Sequence, residues 1–205
     1  MKLSREPTVF VVDDDAALRK SLCWLIESIN LKVKAFSSAR AFLDSYDPAT
    51  PGCLVLDVRM PGMSGLELQT KLSEDSCTIP IIVITGYGDV PMAVRAMKGG
   101  AIDFIEKPVS DQVLLDRIQQ AIAEDSKRRA VNQEQSEFLE RLELLTPRER
   151  EVLRMVVAGM SSREIGQDLD VSFKTIEAHR AKIMKKMQAT GVPHLVRMAI
   201  QAGFK

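Results

Sequence analysis

The sequence predicts an α/β protein: a five-stranded, doubly wound parallel sheet, followed by a second, all-α domain of four helices. Three observations predict it. Over residues 1–124, short apolar runs alternate five times with stretches of helical periodicity. The last 60 or so residues are helical in pattern throughout, with repeated capping signals. Charge divides in the same place: residues 1–124 hold 13 Lys+Arg against 17 Asp+Glu, and residues 141–205 hold 12 against 7, within a chain of zero formal net charge. An acidic front and a basic back suggest two modules, the second suited to a polyanion or simply soluble. The predicted division is 1–124, a linker over 125–141, and 142–205.

The elements of the front module follow in order. "TVFVV" (8–12) is a continuous apolar run rich in β-branched residues, and "ALRKSLCWLIESI" (17–29) places Leu18, Leu22, Leu25, Ile26 and Ile29 at helical spacing. "KVKAF" (32–36) precedes a helix around 38–46, "CLVLD" (53–57) one around 64–72, and "PIIVIT" (80–85) one around 90–99. "AIDFI" (101–105) precedes the amphipathic 110–124. Strands with few polar residues belong to a parallel sheet covered on both faces.

Residues 125–140 are charged and Gln-rich, without Gly or Pro. They suit either a partly helical rod, which we favour, or a mobile linker. Beyond them, Thr146, Pro147 and Glu149 form a capping box, as do Ser161 and Glu164. Ser172 opens a third helix, extending to about Met187, and a fourth runs from about Pro193 to Gln201. Gly159 and Gly191 are expected as C-terminal stops. The three cysteines, Cys23, Cys53 and Cys77, make no CxxC motif and suit small buried residues of a reducing compartment. No stretch reaches the ~20 apolar residues of a membrane span, and acids directly after the first apolar run are wrong for a signal peptide, so a cytoplasmic location is expected.

In such a sheet, ligands bind at the carboxyl ends of the strands, where the strand order reverses. Asp13, Asp14 and Asp15 end the first strand, Asp57 the third and Thr85 the fourth, and the fifth runs into Lys107-Pro108. Asp57 directly follows an oily run, and an unpaired buried charge costs several kcal/mol, so it needs a partner or a purpose. Carboxylates with a backbone carbonyl, such as that of Arg59, suit Mg²⁺, and a carboxylate beside Mg²⁺ can accept a phosphoryl group. Lys107 would supply positive charge and Thr85 a hydroxyl. Taken singly, each acid could merely cap the next helix, Thr85 could be an ordinary strand end, and Lys107 a surface lysine. Their joint placement is the more specific signal.

These residues, with "MPGMSG" behind Asp57, resemble the receiver domain of two-component response regulators over residues 8–124, and "ITGYGDVPMAVRAMKGGAIDFIEKP" resembles the FixJ subfamily. The resemblance implies that Asp57 is the phosphoacceptor, served by a sensor histidine kinase. It implies Mg²⁺ held by Asp14 and Asp57, with help from Asp13 and the Arg59 carbonyl. It also implies a cis Lys107-Pro108 peptide and a switch formed by Thr85 and Phe104. Val90, Pro91, Val94 and Met97 offer apolar surface with few charges, a candidate face for a homodimer formed on phosphorylation.

In the back module, Ile176, Ile183 and Met187 make one apolar stripe on the third helix. The other positions carry Lys174, Thr175, His179, Arg180, Lys182, Lys185 and Lys186, with Glu177 as the one acid. A helix of this kind fits a major groove, and "SSREIGQDL" with its tight turn completes a helix-turn-helix. A small helical dimerisation module is the alternative. Residues 142–204 resemble the LuxR/GerE-type domain, also found in NarL. That resemblance makes 173–187 the recognition helix. Lys174, Thr175, Lys182 and Lys185 would hold phosphates, and Glu177, Ala178 and Ala181 would face base edges, with Arg180 on the same helix. His179 suits either a DNA contact or helix packing. Together the resemblances imply a phosphorylation-activated, non-enzymatic transcription regulator that binds double-stranded DNA and acts with RNA polymerase. Its rivals are a Mg²⁺-dependent phosphatase using Asp57 and a constitutive DNA-binding protein.

Overall fold

The computed structural model describes residues 6–204; of the stretch read against a signal peptide, residues 1–5 lie outside them. The chain orders as β1 (Thr8–Val12), α1 (Ala16–Glu27), β2 (Lys32–Phe36), α2 (Ala39–Ser45), β3 (Gly52–Asp57), α3 (Gly65–Glu74) and β4 (Ile81–Thr85). Then follow α4 (Val90–Lys98), β5 (Asp103–Glu106), α5 (Asp111–Glu143), α6 (Pro147–Val157), α7 (Ser162–Asp168), α8 (Phe173–Met187) and α9 (Val192–Gln201). The described residues form two compact units divided between Lys127 and Arg128.

In the first unit the strands make one parallel sheet in the order β2-β1-β3-β4-β5. The period-2 alternation of strand side chains sorts the core into two layers. Phe10, Val12, Leu54, Leu56, Ile81 and Val83 face Phe42, Leu66, Leu68, Leu72 and Ala96 from α2, α3 and α4. Val9, Val11, Cys53, Val55, Ile82 and Ile84 face Leu22, Ile26, Leu114, Ile118 and Ala121 from α1 and α5. Lys32 and Lys34 are exposed on the edge strand β2, where charge discourages pairing with another sheet. Of the cysteines only Cys53 is buried, and all three are free thiols; burial pushes the Cys53 thiol up to about 12.

Helix α5 runs for 33 residues, so the stretch expected as a linker is helical through Glu143. Its solvated part is laced by side-chain ties one turn apart: Gln112–Asp116, Gln120–Glu124, Gln133–Glu137 and Glu137–Arg141. Each such pair contributes about 0.2–0.5 kcal/mol. Buried Asp125 accepts a 3.0 Å hydrogen bond from the Gly52 amide at the start of β3.

The second unit packs α6–α9 around Val152, Leu153, Val156, Ile165, Ile176, Ile183, Met187, Leu195 and Ala199. Phe138 of α5 belongs to this core, fully buried and edge-on to Phe204 at 5.8 Å. The capping boxes at Thr146/Glu149 and Ser161/Glu164 are present. Gly159 follows α6 with a φ of 89°, as expected of a stop. Gly191 departs from expectation: it is the N-cap of α9, and Gln188, in the left-handed region, ends α8. Among the described residues no helix is long and apolar enough to cross a membrane.

Removing a fully buried ring costs about 3–5 kcal/mol. Phe138→Ala is therefore expected to move the denaturant transition of the second unit in the full-length chain to markedly lower concentration and to leave that of the first nearly unchanged. An unshifted transition for the second unit would show that Phe138 is not part of its core.

Candidate functional site

The strand order reverses between β1 and β3, and register sets the ends of these strands level, since Val12 pairs with Leu56. The next residues, Asp13 and Asp57, are both buried, at 1% and 4% exposure. On the other side of β3, Asp57 lies opposite Ile84, one residue before Thr85, which is fully buried. The Lys107 amide donates to the Thr85 carbonyl at 2.7 Å, so the end of β5 is fixed beside β4. From there the Lys107 ammonium donates to Asp13 Oδ2 and to Asp57 Oδ1, both at 2.7 Å. The Lys107-Pro108 peptide is cis.

Two acids thus share one cation. Burial raises the Asp57 carboxyl above its ordinary range; Lys107 opposes the shift and the Asp13 charge adds to it. For Lys107, burial disfavours the ammonium, but the hydrogen bonds and charges of Asp13 and Asp57 outweigh it and hold its pKa above the ordinary value. Asp13 is further fixed by the Asp15 amide on Oδ1 and by Arg19 Nη1 on its carbonyl, at 2.8 and 2.7 Å.

The three consecutive acids have three fates. Asp15 does what the simplest reading expects of an acid after a strand: it caps α1, accepting from the Ala17 and Leu18 amides, which hold its carboxyl below the ordinary range. Asp13 meets Lys107. Asp14 is exposed and lines an open cavity with Arg59, Met60, Met92 and Arg95, among others. Among the described residues no three His, Cys, Asp or Glu side chains already converge as a metal site. The donor chemistry nevertheless fits a hard cation, because the carboxylates of Asp13, Asp14 and Asp57 and the Arg59 carbonyl offer oxygen alone.

The loop after Asp57 has a stricter role than leaving room for a donor. A Cβ on Gly65 would lie 2.1 Å from the Asp57 carbonyl oxygen, so the start of α3 abuts the backbone of Asp57. Gly88, which the sequence does not single out, is tight to a lesser degree: its Cβ would lie 3.0 Å from Phe104 and 3.4 Å from the Thr85 methyl, both side-chain contacts. Phe104 and Thr85 therefore crowd one glycine at the β4–α4 turn. On α4, Pro91 is exposed, as are Val90, Val94 and Met97 at 77, 45 and 48%. Tyr87, another residue not anticipated, adds an exposed ring with the Arg59 guanidinium 5.1 Å from its centroid.

In the second unit, Ile176, Ile183 and Met187 turn α8 to the core. Lys174, Thr175, Glu177, Ala178, Ala181, Lys182 and Lys185 are exposed, and Arg180 is half-buried. Thr175 shares a hydrogen bond with Ser172 at the helix start, 2.8 Å between hydroxyls. Lys186, counted with the basic face, is drawn inward: it donates to buried Glu149 at 2.6 Å and to the Leu144 carbonyl at 3.1 Å. Burial would raise the Glu149 carboxyl, but Lys186 and the Thr146 cap together hold it below the ordinary range. Glu177 accepts from the Ser162 hydroxyl of α7. His179 is half-buried, its Nδ1 shielded and without a hydrogen-bond partner among the described residues.

Comparison with known proteins assigns both units. Residues 9–119 match the family model of the response regulator receiver domain, and residues 143–199 that of bacterial regulatory proteins of the luxR family. The chain is 48% identical over 197 residues to the transcriptional regulatory protein FixJ of Rhizobium meliloti, covering 96% of this chain and 97% of that one. It is 45% identical over 200 residues to nodulation protein W of Bradyrhizobium diazoefficiens, covering 98% and 88%. Among solved structures, the response regulator StyR matches with a TM-score of 0.85 at 42% identity, over 96% of this chain and 99% of that one. Full-length FixJ from B. japonicum matches with a TM-score of 0.59 at 42% identity, over 97% and 98%. The chain belongs to the two-component response regulators that join a receiver domain to a luxR-type DNA-binding domain, a family of transcription regulators rather than enzymes.

Proposed function

We propose that Asp57 is the phosphoacceptor and that its phosphorylation by a sensor histidine kinase controls DNA binding by the second unit. The observation that carries this reading is the Lys107 ammonium held 2.7 Å from both Asp13 and Asp57 at the strand-order reversal. An Asp57 oxygen attacks the phosphorus of the kinase phosphohistidine. The P–O bond forms as the P–N bond breaks, and the imidazole leaves. Asp13, Asp14, Asp57 and the Arg59 carbonyl would hold Mg²⁺, which when bound supplies positive charge to the carboxylates and phosphoryl oxygens. Lys107 supplies the protein's own positive charge and fixes the orientation of Asp57.

A phosphoryl group on Asp57 offers new acceptor oxygens to the Thr85 hydroxyl. Thr85 turns toward it, and Phe104, packed at the same glycine, moves into the space released: a two-state element biased by local hydrogen bonding. The change reaches α4, where Val90, Pro91, Val94 and Met97 form the homodimer face. Dimerisation places two α8 helices on a two-fold-related DNA site. Lys174, Thr175, Lys182 and Lys185 hold phosphates, Arg180 supports the same face, and Glu177, Ala178 and Ala181 lie at the base edges. We assign residues 1–124 to the receiver, 142–205 to the DNA-binding domain and 125–141 to the segment joining them. The site of action is the cytoplasm, with RNA polymerase as the downstream partner.

Asp57→Asn is expected to lose all labelling by radioactive acetyl phosphate in Mg²⁺; labelling at the wild-type level would place the phosphoryl on another residue. For Lys182→Ala, DNA affinity is expected to fall, and the slope of log K against log [salt] to become shallower by about one. An unchanged slope would mean that Lys182 touches no phosphate.

A further inference from the structure

Among the exposed residues of α8, Glu177 stands out as an acid on a face otherwise suited to phosphates, and the protein holds it in place. The Ser162 hydroxyl, on the first turn of α7 and 8% exposed, donates to Glu177 Oε1. Arg180 Nε lies 4.0 Å from the same oxygen. Oε2 accepts no hydrogen bond from any described residue, and the Glu177 side chain is 51% exposed. One oxygen is therefore tethered to the protein and the other is left for a ligand. Ala178 beside it and Ala181 one turn on end at Cβ, so the helix backbone can come close to a surface there.

We infer that Glu177 reads cytosine: Oε2 accepts a hydrogen bond from the cytosine N4 amino group, which makes one C·G pair preferred in each half-site. The inference rests on α8 being the DNA-contacting helix. A carboxylate can only accept. Guanine presents O6 and N7 to the major groove and thymine O4, all acceptors that repel it. Adenine sets its N7 acceptor next to the N6 donor. Cytosine offers its N4 donor with an acceptor on one side only, the O6 of the paired guanine, whereas adenine N6 lies between its own N7 and the O4 of the paired thymine. Arg180 offsets part of the repulsion between the carboxylate and nearby phosphates, and Ser162 is the positioning residue that fixes where Oε2 lies.

The test selects binding sites from a randomised duplex pool with the full-length chain treated with acetyl phosphate and Mg²⁺. Wild-type protein is expected to enrich sites with one position per half-site fixed as C·G. Glu177→Gln should still bind but move that position toward A·T, since Gln pairs with adenine N6 and N7. Glu177→Ala and Ser162→Ala should relax that position alone, with discrimination falling about five- to a hundred-fold and melting temperatures close to wild type. The inference is overturned if these variants enrich the wild-type sequence with undiminished discrimination. Uniform weakening at every position also overturns it, because Ser162–Glu177 would then be only an interhelical tie. Failure of the wild type to retain any duplex would defeat the reading of α8 itself, and is told apart by that control.

Discussion

One ammonium shared by two buried carboxylates organises the first unit. Breaking such a pair from one side costs on the order of 3–5 kcal/mol, because an uncompensated charge is left behind; here two acids depend on one lysine. That requirement fixes the carboxyl ends of three strands. β1 and β3 must end level, so that Asp13 and Asp57 stand abreast, and β5 must be held by the Thr85 carbonyl for Lys107 to reach them. The close approach of Gly65 to the Asp57 carbonyl makes α3 part of the same frame. Apolar layers flank this edge on both faces of the sheet, and two acids on one base leave a net negative charge whose oxygen donors suit a hard cation.

The two units divide their polar residues in the same way, between those that hold the fold and those left available. Asp15 is spent on a cap, Asp13 on Lys107, and Asp14 remains exposed. On α8, Lys186 is committed to Glu149 while Lys174, Lys182 and Lys185 stay in solvent. Glu177 lies between these cases, with one oxygen bound and one not. A count of charges on a helix therefore overstates the surface it can offer a partner.

Much of this was legible in the sequence because it is local or periodic. The buried strands, the capping boxes and the carboxyl-end placement of Asp57, Thr85 and Lys107 follow from runs of a few residues and the rule for parallel sheets. What escaped is nonlocal. Asp125 meets Gly52 across 73 residues, Lys186 meets Glu149 across 37, and Ser162 meets Glu177 across 15; no periodicity encodes such pairs. Phe138 was hidden because a single aromatic in a charged, Gln-rich helix makes no stripe, and only the four helices beyond it give the ring a core to enter. Gly191 was misplaced because glycine serves both ends of helices, and here Gln188 had already turned the chain.

The central claim is that a phosphoryl group on Asp57 changes the output of the chain through Thr85 and Phe104, with the Lys107 bridge tying Asp57 to the end of β5, the strand that carries Phe104. Lys107→Gln tests it most directly, with acetyl-phosphate labelling and DNA affinity followed in the same sample. The account predicts that Asp57 is still labelled, more slowly, while DNA affinity no longer rises with labelling. A rise in affinity equal to that of the wild type would contradict it.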